Sequence, residues 1–191
     1  MKTITLQAVW DKYGFAYSNT GASEIRLGWR TISSVNYKYN SWLKFDISQV
    51  TALHLQESHI VSAKLILYLN TTSSLVSCRI HPTLKPATSS VNWSTYNGTS
   101  TWGVPGGEGD GIDIGVQLTT HNNFSQSTTE IPLSGSALLE IVNTSNGIVS
   151  LITTSPQATN KYIVAWGVSS SYPPLVLLTY HKPSANDVVI I

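Results

Sequence analysis

Cysteine is nearly absent. Cys78 stands alone in 191 residues, so no disulfide can form within the chain. None is needed, because a chain of this length buries roughly 70% of the surface its unfolded form exposes. A solitary cysteine of this kind reads as a small apolar core residue rather than a nucleophile. Charge is scarce as well. Asp, Glu, Lys and Arg make up 11% of the chain and sum to a net charge of +1, against roughly a quarter of residues in an ordinary domain. No basic stripe exists to hold phosphates, which argues against a nucleic-acid partner. No run approaches the ~18 apolar residues of a membrane span. The N-terminal MKTITLQAV lacks the apolar core and small-residue cleavage site of a secretory signal. Sequons at Asn70, Asn92, Asn97, Asn123 and Asn143 are what a composition rich in Ser, Thr and Asn produces by chance.

Reacting groups are equally sparse. His54, His59, His81, His121 and His181 show no metal-ligand spacing. No Gly-x-Ser-x-Gly elbow occurs, and the glycines of 103–111 are not followed by the Lys-Ser/Thr of a phosphate loop. Acidic residues gather once, in "GGEGDGIDIG", where Glu108, Asp110 and Asp113 alternate with glycines. Oxygen ligands on such a loop suit a hard cation, so the candidate cofactor is a structural calcium; the alternative is a solvated turn. Asp110 and Asp113 could reach the roughly 5–9.5 Å separation of a glycosidase pair, but no apolar neighbours stand ready to raise either pKa. The expectation is a protein without catalytic residues.

What the sequence does contain is period-two alternation. Thr3–Val9 alternates, as does Ser41–Ile47, where Leu43, Phe45 and Ile47 form an inward set and Trp42, Lys44 and Asp46 a partly covered outer set. An exposed Lys44–Asp46 pair would contribute at most about 1 kcal/mol. Ala63, Leu65, Leu67 and Leu69 share one face of "SAKLILYLN". The segments 148–154, 161–168 and 175–182 are rich in β-branched and aromatic residues. Turn residues separate them, including Asn97-Gly98, Pro105-Gly106-Gly107 and Asn146-Gly147. One segment breaks the pattern: in "SGSALLEIVN", Leu138, Ile141 and Val142 have helical spacing, Ser134 or Ser136 can cap the start, and Asn143 with Gly147 can end it. Residues 86–124 are poorly patterned, with a short strand expected over 111–118. These signals predict an all-β fold: an antiparallel β-sandwich or jelly roll with one short helix crossing one end. One domain spans residues 1–182. A tail, 183–191, ends in the apolar "VVII" and is expected to dock on its own sheet or on a neighbouring subunit.

The ordered set "YNSWLKFDIS" (39–48), "IVSAKLILYL" (60–69), "ATSSVNWSTYN" (87–97), "IPLSGSALLEIVN" (131–143), "GIVSLITT" (147–154) and "YPPLVLLTYHK" (172–182) resembles the DNRLRE-type domain. The likeness covers about residues 20–182. It departs from that pattern at Tyr39-Asn40-Ser41, where the family carries an arginine, and at Tyr162–Trp166. The resemblance implies a β-sandwich akin to carbohydrate-binding modules and a non-enzymatic role. It points to a virion protein of a phage: a capsid decoration, fibre or tail-associated component made in host cytoplasm. Its partners would be virion proteins, copies of itself or host surface glycans. The alternative is a free-standing, extracellular polysaccharide-binding module. Trp29, Tyr37, Tyr39, Trp93, Tyr96 and Trp102 are the candidate contacts, because flat aromatic rings with polar edges suit both sugars and protein interfaces. The competing reading makes them core plugs and loop anchors.

Overall fold

The computed structural model describes residues 1–15, 18–22, 24–72, 76–122, 124, 127–157 and 160–184. The tail beyond Ser184 and the sequon at Asn123 therefore lie outside the described residues. The elements in chain order are β1 (Lys2–Phe15), β2 (Ser18–Ala22), β3 (Glu24–Ile32), β4 (Val35–Phe45), α1 (Ser48–Ala52), β5 (Ile60–Thr72), β6 (Cys78–Pro82), β7 (Thr119–His121), β8 (Thr128–Leu133), α2 (Gly135–Asn143), β9 (Ile148–Thr153), β10 (Lys161–Trp166) and β11 (Leu175–Tyr180). Strand accounts for 49% of the chain and helix for 10%, which makes it an all-β protein. Among the described residues every strand pairing is antiparallel.

Two layers result. One runs β8-β5-β11-β1. The other runs β2-β1-β4-β9-β6-β7. The strand β1 serves both. Its first half, Lys2–Gln7, pairs with β11, and its second half pairs with β4 after a register shift between Ala8 and Trp10. Such an irregularity bends a strand and lets it turn the corner between sheets. The strand β5 does the same at its far end, where it meets β10 with a shift near Leu69, and β10 leads through β3 back to β4.

The core sits between these layers. Leu43 and Phe45 of β4 are buried against Ala63, Leu65, Leu67 and Leu69 of β5, with Ile25, Leu27, Val149 and Leu151 completing the contact. Each such aliphatic or Phe side chain contributes about 1.5–3 kcal/mol by leaving water. The helix α2 closes one end. Ser134 caps it by accepting from the Ala137 amide at 3.0 Å, and its apolar stripe of Leu138, Ile141 and Val142 is buried. Gly147, in the left-handed region at φ +80°, donates to the Ile141 carbonyl and stops the helix.

The long segment after β6 is packed rather than loose. It covers the outer face of the second sheet at Trp42 and then returns along the edge of β6 on the β7 side, held there by Gly115 N to Pro82 O (2.9 Å) and Leu118 N to Ile80 O (2.8 Å). The strand expected over 111–118 does not form. Gly106, Gly107 and Gly111 adopt left-handed φ of +82°, +66° and +70°, and the amides of Ile112, Asp113 and Ile114 all turn back on the Gly109 carbonyl. Turns replace the strand because glycine permits that backbone. Beneath this third layer lies a small second core of Trp42, Ala87, Val91, Trp102 and Ile148. Trp42, on the outer face of β4, is 0% exposed. Gly14 of β1 has to be small here. A Cβ would stand 2.8 Å from the Trp93 amide nitrogen and 2.9 Å from the Trp42 ring.

Candidate functional site

The six expected aromatic contacts do not share a surface. Tyr39 and Trp102 are only 1% and 5% exposed, so neither can meet a ligand, and that expectation is corrected for both. Tyr39 lies between Tyr13 and Phe15, with ring centroids at 5.8 and 5.0 Å. Trp102 stacks on Trp42 at 5.6 Å with planes 17° apart and donates its indole N–H to the Asn92 carbonyl at 2.9 Å. Trp29 and Tyr37 are half-buried but leave the β3–β4 hairpin on opposite faces. Trp29 opposes Lys38, whereas Tyr37 opposes Arg30, and successive side chains alternate sides. Trp29 donates to the Ser155 carbonyl at 2.9 Å, and Tyr37 meets the edge of Phe15 at 5.6 Å. Trp93 and Tyr96 are half-buried in the covering layer. The first lies against Gly106 and the second against Trp102 at 5.6 Å.

The three acidic residues separate as well. Asp113 is 0% exposed. Its Oδ1 accepts from the Gly103 amide at 2.8 Å, and its Oδ2 from Val104 at 2.8 Å and Gly109 at 3.2 Å. Glu108 reaches the other way, to Lys38 Nζ and Asn40 Nδ2, both at 2.7 Å. Asp110 is exposed. Among the described residues no group of three His, Cys, Asp or Glu side chains is placed to hold a metal. Asp113 thus ties together the turns of its own loop.

The groove lies elsewhere, where the covering layer stops short of β1, β4 and the turn after α2. One hollow of about 280 Å³ is walled by Trp10, Lys44, Lys85, Pro86, Thr144 and Asn146, among others. Beside it, one of about 590 Å³ is walled by Val9, Asp46, Ile47, Ser48 and Thr51. Lys44 and Asn146 border both. The Lys44 ammonium donates to the Asn146 carbonyl, so the pair forms a sill between the two lobes. Burial pulls the Lys44 pKa down, and Asp46 opposes that pull. Asp46 accepts from the Ser48 amide at 3.0 Å, and this bond holds its carboxyl below the ordinary value. Trp10 is half-exposed and packs against the Trp42 cluster, so its ring is held by packing on one side and borders the hollow on the other. Sequence reasoning missed Trp10 and Lys85. Trp10 follows the point where β1 alternation breaks, and Lys85 lies in a segment without periodicity.

Cys78, His81 and Asp11 do not line the groove. Burial pushes the Cys78 thiol up to about 12, which leaves it protonated and inert. His81 is buried with Nδ1 at 2.8 Å from the Gly115 carbonyl, and burial pulls its pKa down. Asp11 is 2% exposed; its Oδ1 accepts from the Val168 amide at 2.8 Å. Its Oδ2 has no hydrogen-bond partner among the described residues. Burial therefore raises the Asp11 pKa above the ordinary 3.8. The folded state holds that proton more tightly than the unfolded state does. Stability linked to Asp11 is complete below pH 3.8 and is lost as pH rises through the folded value. Asp11→Asn, which keeps the Oδ1 acceptor without the charge, should stabilise the protein at pH 7 by on the order of 1 kcal/mol. Urea melts across pH should show that gain vanish in acid; a gain independent of pH would exclude the charge as its cause.

No protein-family model and no curated protein matches this chain. Among the described residues no helix is long and apolar enough to cross a membrane.

Proposed function

We propose that this chain is a non-catalytic adhesive module: a structural accessory of a phage virion, on a capsid, fibre or tail, whose two-lobed groove meets a glycan. The observation that supports this reading best is the groove itself, in which a Trp10 ring fixed by packing stands beside hydroxyl, amide and ammonium groups. Flat CH faces of sugars seat on such rings while their hydroxyls meet the polar rim. The likeness to DNRLRE-type domains supports a module akin to carbohydrate-binding ones. The low charge and the Ser, Thr and Asn surface suit a particle exterior.

The test joins size-exclusion chromatography with light scattering to a glycan array. The expected result is self-association or attachment to a larger particle, with retention on a subset of glycans. Trp10→Ala should weaken that retention about tenfold, equivalent to about 1.4 kcal/mol. A monomer that still binds polysaccharide would favour the free-standing module instead. Absence of any glycan retention would remove the groove's assigned role.

A further inference from the structure

We infer that His81 is an acid-sensitive latch for the covering layer: when its imidazole takes up a proton, residues 83–118 loosen from the sheet. Cys78 and Ile80 of β6 belong to the sandwich core. Successive side chains of a strand alternate sides, so His81 points to the outer face. It is 2% exposed there. Its Nδ1 lies 2.8 Å from the Gly115 carbonyl oxygen. A carbonyl only accepts, so Nδ1 carries the proton, and Nε2 of the neutral ring carries a lone pair. Nε2 is buried and has no hydrogen-bond partner among the described residues. The turns around Gly115 are fastened close by. Gly115 N donates to Pro82 O at 2.9 Å, and Leu84 N donates to Asp113 O at 2.8 Å. His81 thus joins β6 to the returning end of the layer.

A second proton changes what this place can hold. It would make Nε2 a buried donor without an acceptor and bring a charge out of water. Two charged groups act on the ring. Arg79, from its own strand, opposes the added charge, and the exposed Asp110, from the covering turns, favours it. Asp113 of those turns has its carboxylate engaged by the Gly103, Val104 and Gly109 amides. On β9 the residue opposite is Ser150, whose hydroxyl is bonded to that of Thr83 at 2.7 Å. Burial outweighs Asp110 and holds the His81 pKa below the ordinary 6.5. The seated layer therefore binds this proton less readily than the opened one. Stability linked to His81 is complete above pH 6.5 and is lost as pH falls from there through the folded value. Lys85 and Pro86 of the layer wall the smaller hollow, so acid acts on the groove as well, whatever the groove holds.

The experiment is amide hydrogen exchange of the full chain by NMR between about pH 8 and pH 5, with the histidine ring signals titrated in the same samples. Protection factors already correct for the intrinsic effect of pH on exchange. Those of Leu84, Gly115 and Leu118 should fall about threefold to tenfold in acid, while the amides of β5 in the sandwich keep theirs. The His81 ring should titrate below 6.5. His81→Asn, which keeps a donor near the Nδ1 position, should flatten the pH dependence. His81→Gln, equally neutral, guards against one variant misfolding. Asp110→Asn should move the fall to lower pH. A ring that titrates at or above 6.5, protection at the layer that does not change with pH, or the same acid loss in both neutral variants would each overturn the latch.

Discussion

Asp113→Ala is expected to cost about 3–5 kcal/mol and to unseat the covering layer from the outer face of the sheet. The carboxylate is buried and receives three backbone N–H groups, from Gly103, Val104 and Gly109. Each hydrogen bond to a charged group contributes about 1.5–3 kcal/mol; the Gly109 donor is buried, whereas Gly103 and Val104 are exposed, so water recovers part of the sum there. The approach is close. A Cβ on Gly109 would stand 2.8 Å from Oδ2 and one on Gly103 3.3 Å from Oδ1. A water molecule cannot imitate a carboxylate that accepts from three directions at once. Asp113→Asn keeps one acceptor oxygen and should lose about half as much. Urea unfolding followed by tryptophan fluorescence checks the loss, because Trp93 and Trp102 both report on this layer. Limited proteolysis should open new cuts within residues 83–118 before the sandwich melts. Unchanged protease resistance in Asp113→Ala would show that the layer is held by its tryptophans alone.

How much of this was legible in the sequence follows from which contacts are local. The alternation at Leu43 and Phe45, and from Ala63 to Leu69, marks the inner faces, because a strand's period of two is a property of the strand itself. The cap and stripe of α2 were legible for the same reason. The strand β3 was not. Gly28 interrupts it with φ +108°, and a Cβ there would lie 2.2 Å from the Lys161 carbonyl oxygen; Arg26 and Arg30 are half-buried and stand on the face opposite Ile25 and Leu27. Arg26 is tolerated because it pairs with Glu24 at 2.7 Å and lies 4.5 Å over the Tyr13 ring. The extent of β1 was missed beyond Val9. The register shift at Ala8–Trp10 resets its alternation as it changes partner. The aromatics could not be sorted from sequence at all. Tyr39 and Trp102 have ordinary polar neighbours in the chain, and what buries them is Phe15 and Trp42 respectively, a long-range fact. The same holds for the groove. Trp10, Lys44, Lys85 and Asn146 come from four separate segments, and only the seat of the covering layer brings them together.

That seat depends most on Trp42. Trp42→Ala is expected to cost about 3–5 kcal/mol, the range for deleting a large buried aromatic. The indole is fully buried, stacks on Trp102, and touches the space that Gly14 leaves open. Its Nε1 has no hydrogen-bond partner among the described residues. Trp42→Phe therefore removes an unsatisfied donor along with ring volume, and should cost less than half as much as alanine. This ordering separates packing from polar effects, since a hydrogen-bonded indole would make phenylalanine nearly as damaging as alanine. The two substitutions should also differ at the groove. Trp10 rests on the same cluster, so emptying the Trp42 site frees its ring, and glycan retention should fall in Trp42→Ala at temperatures well below its melt. A Trp42→Ala protein that loses stability yet binds glycan as the parent does would show that Trp10 is held by other contacts, and that the groove and the covering layer are independent.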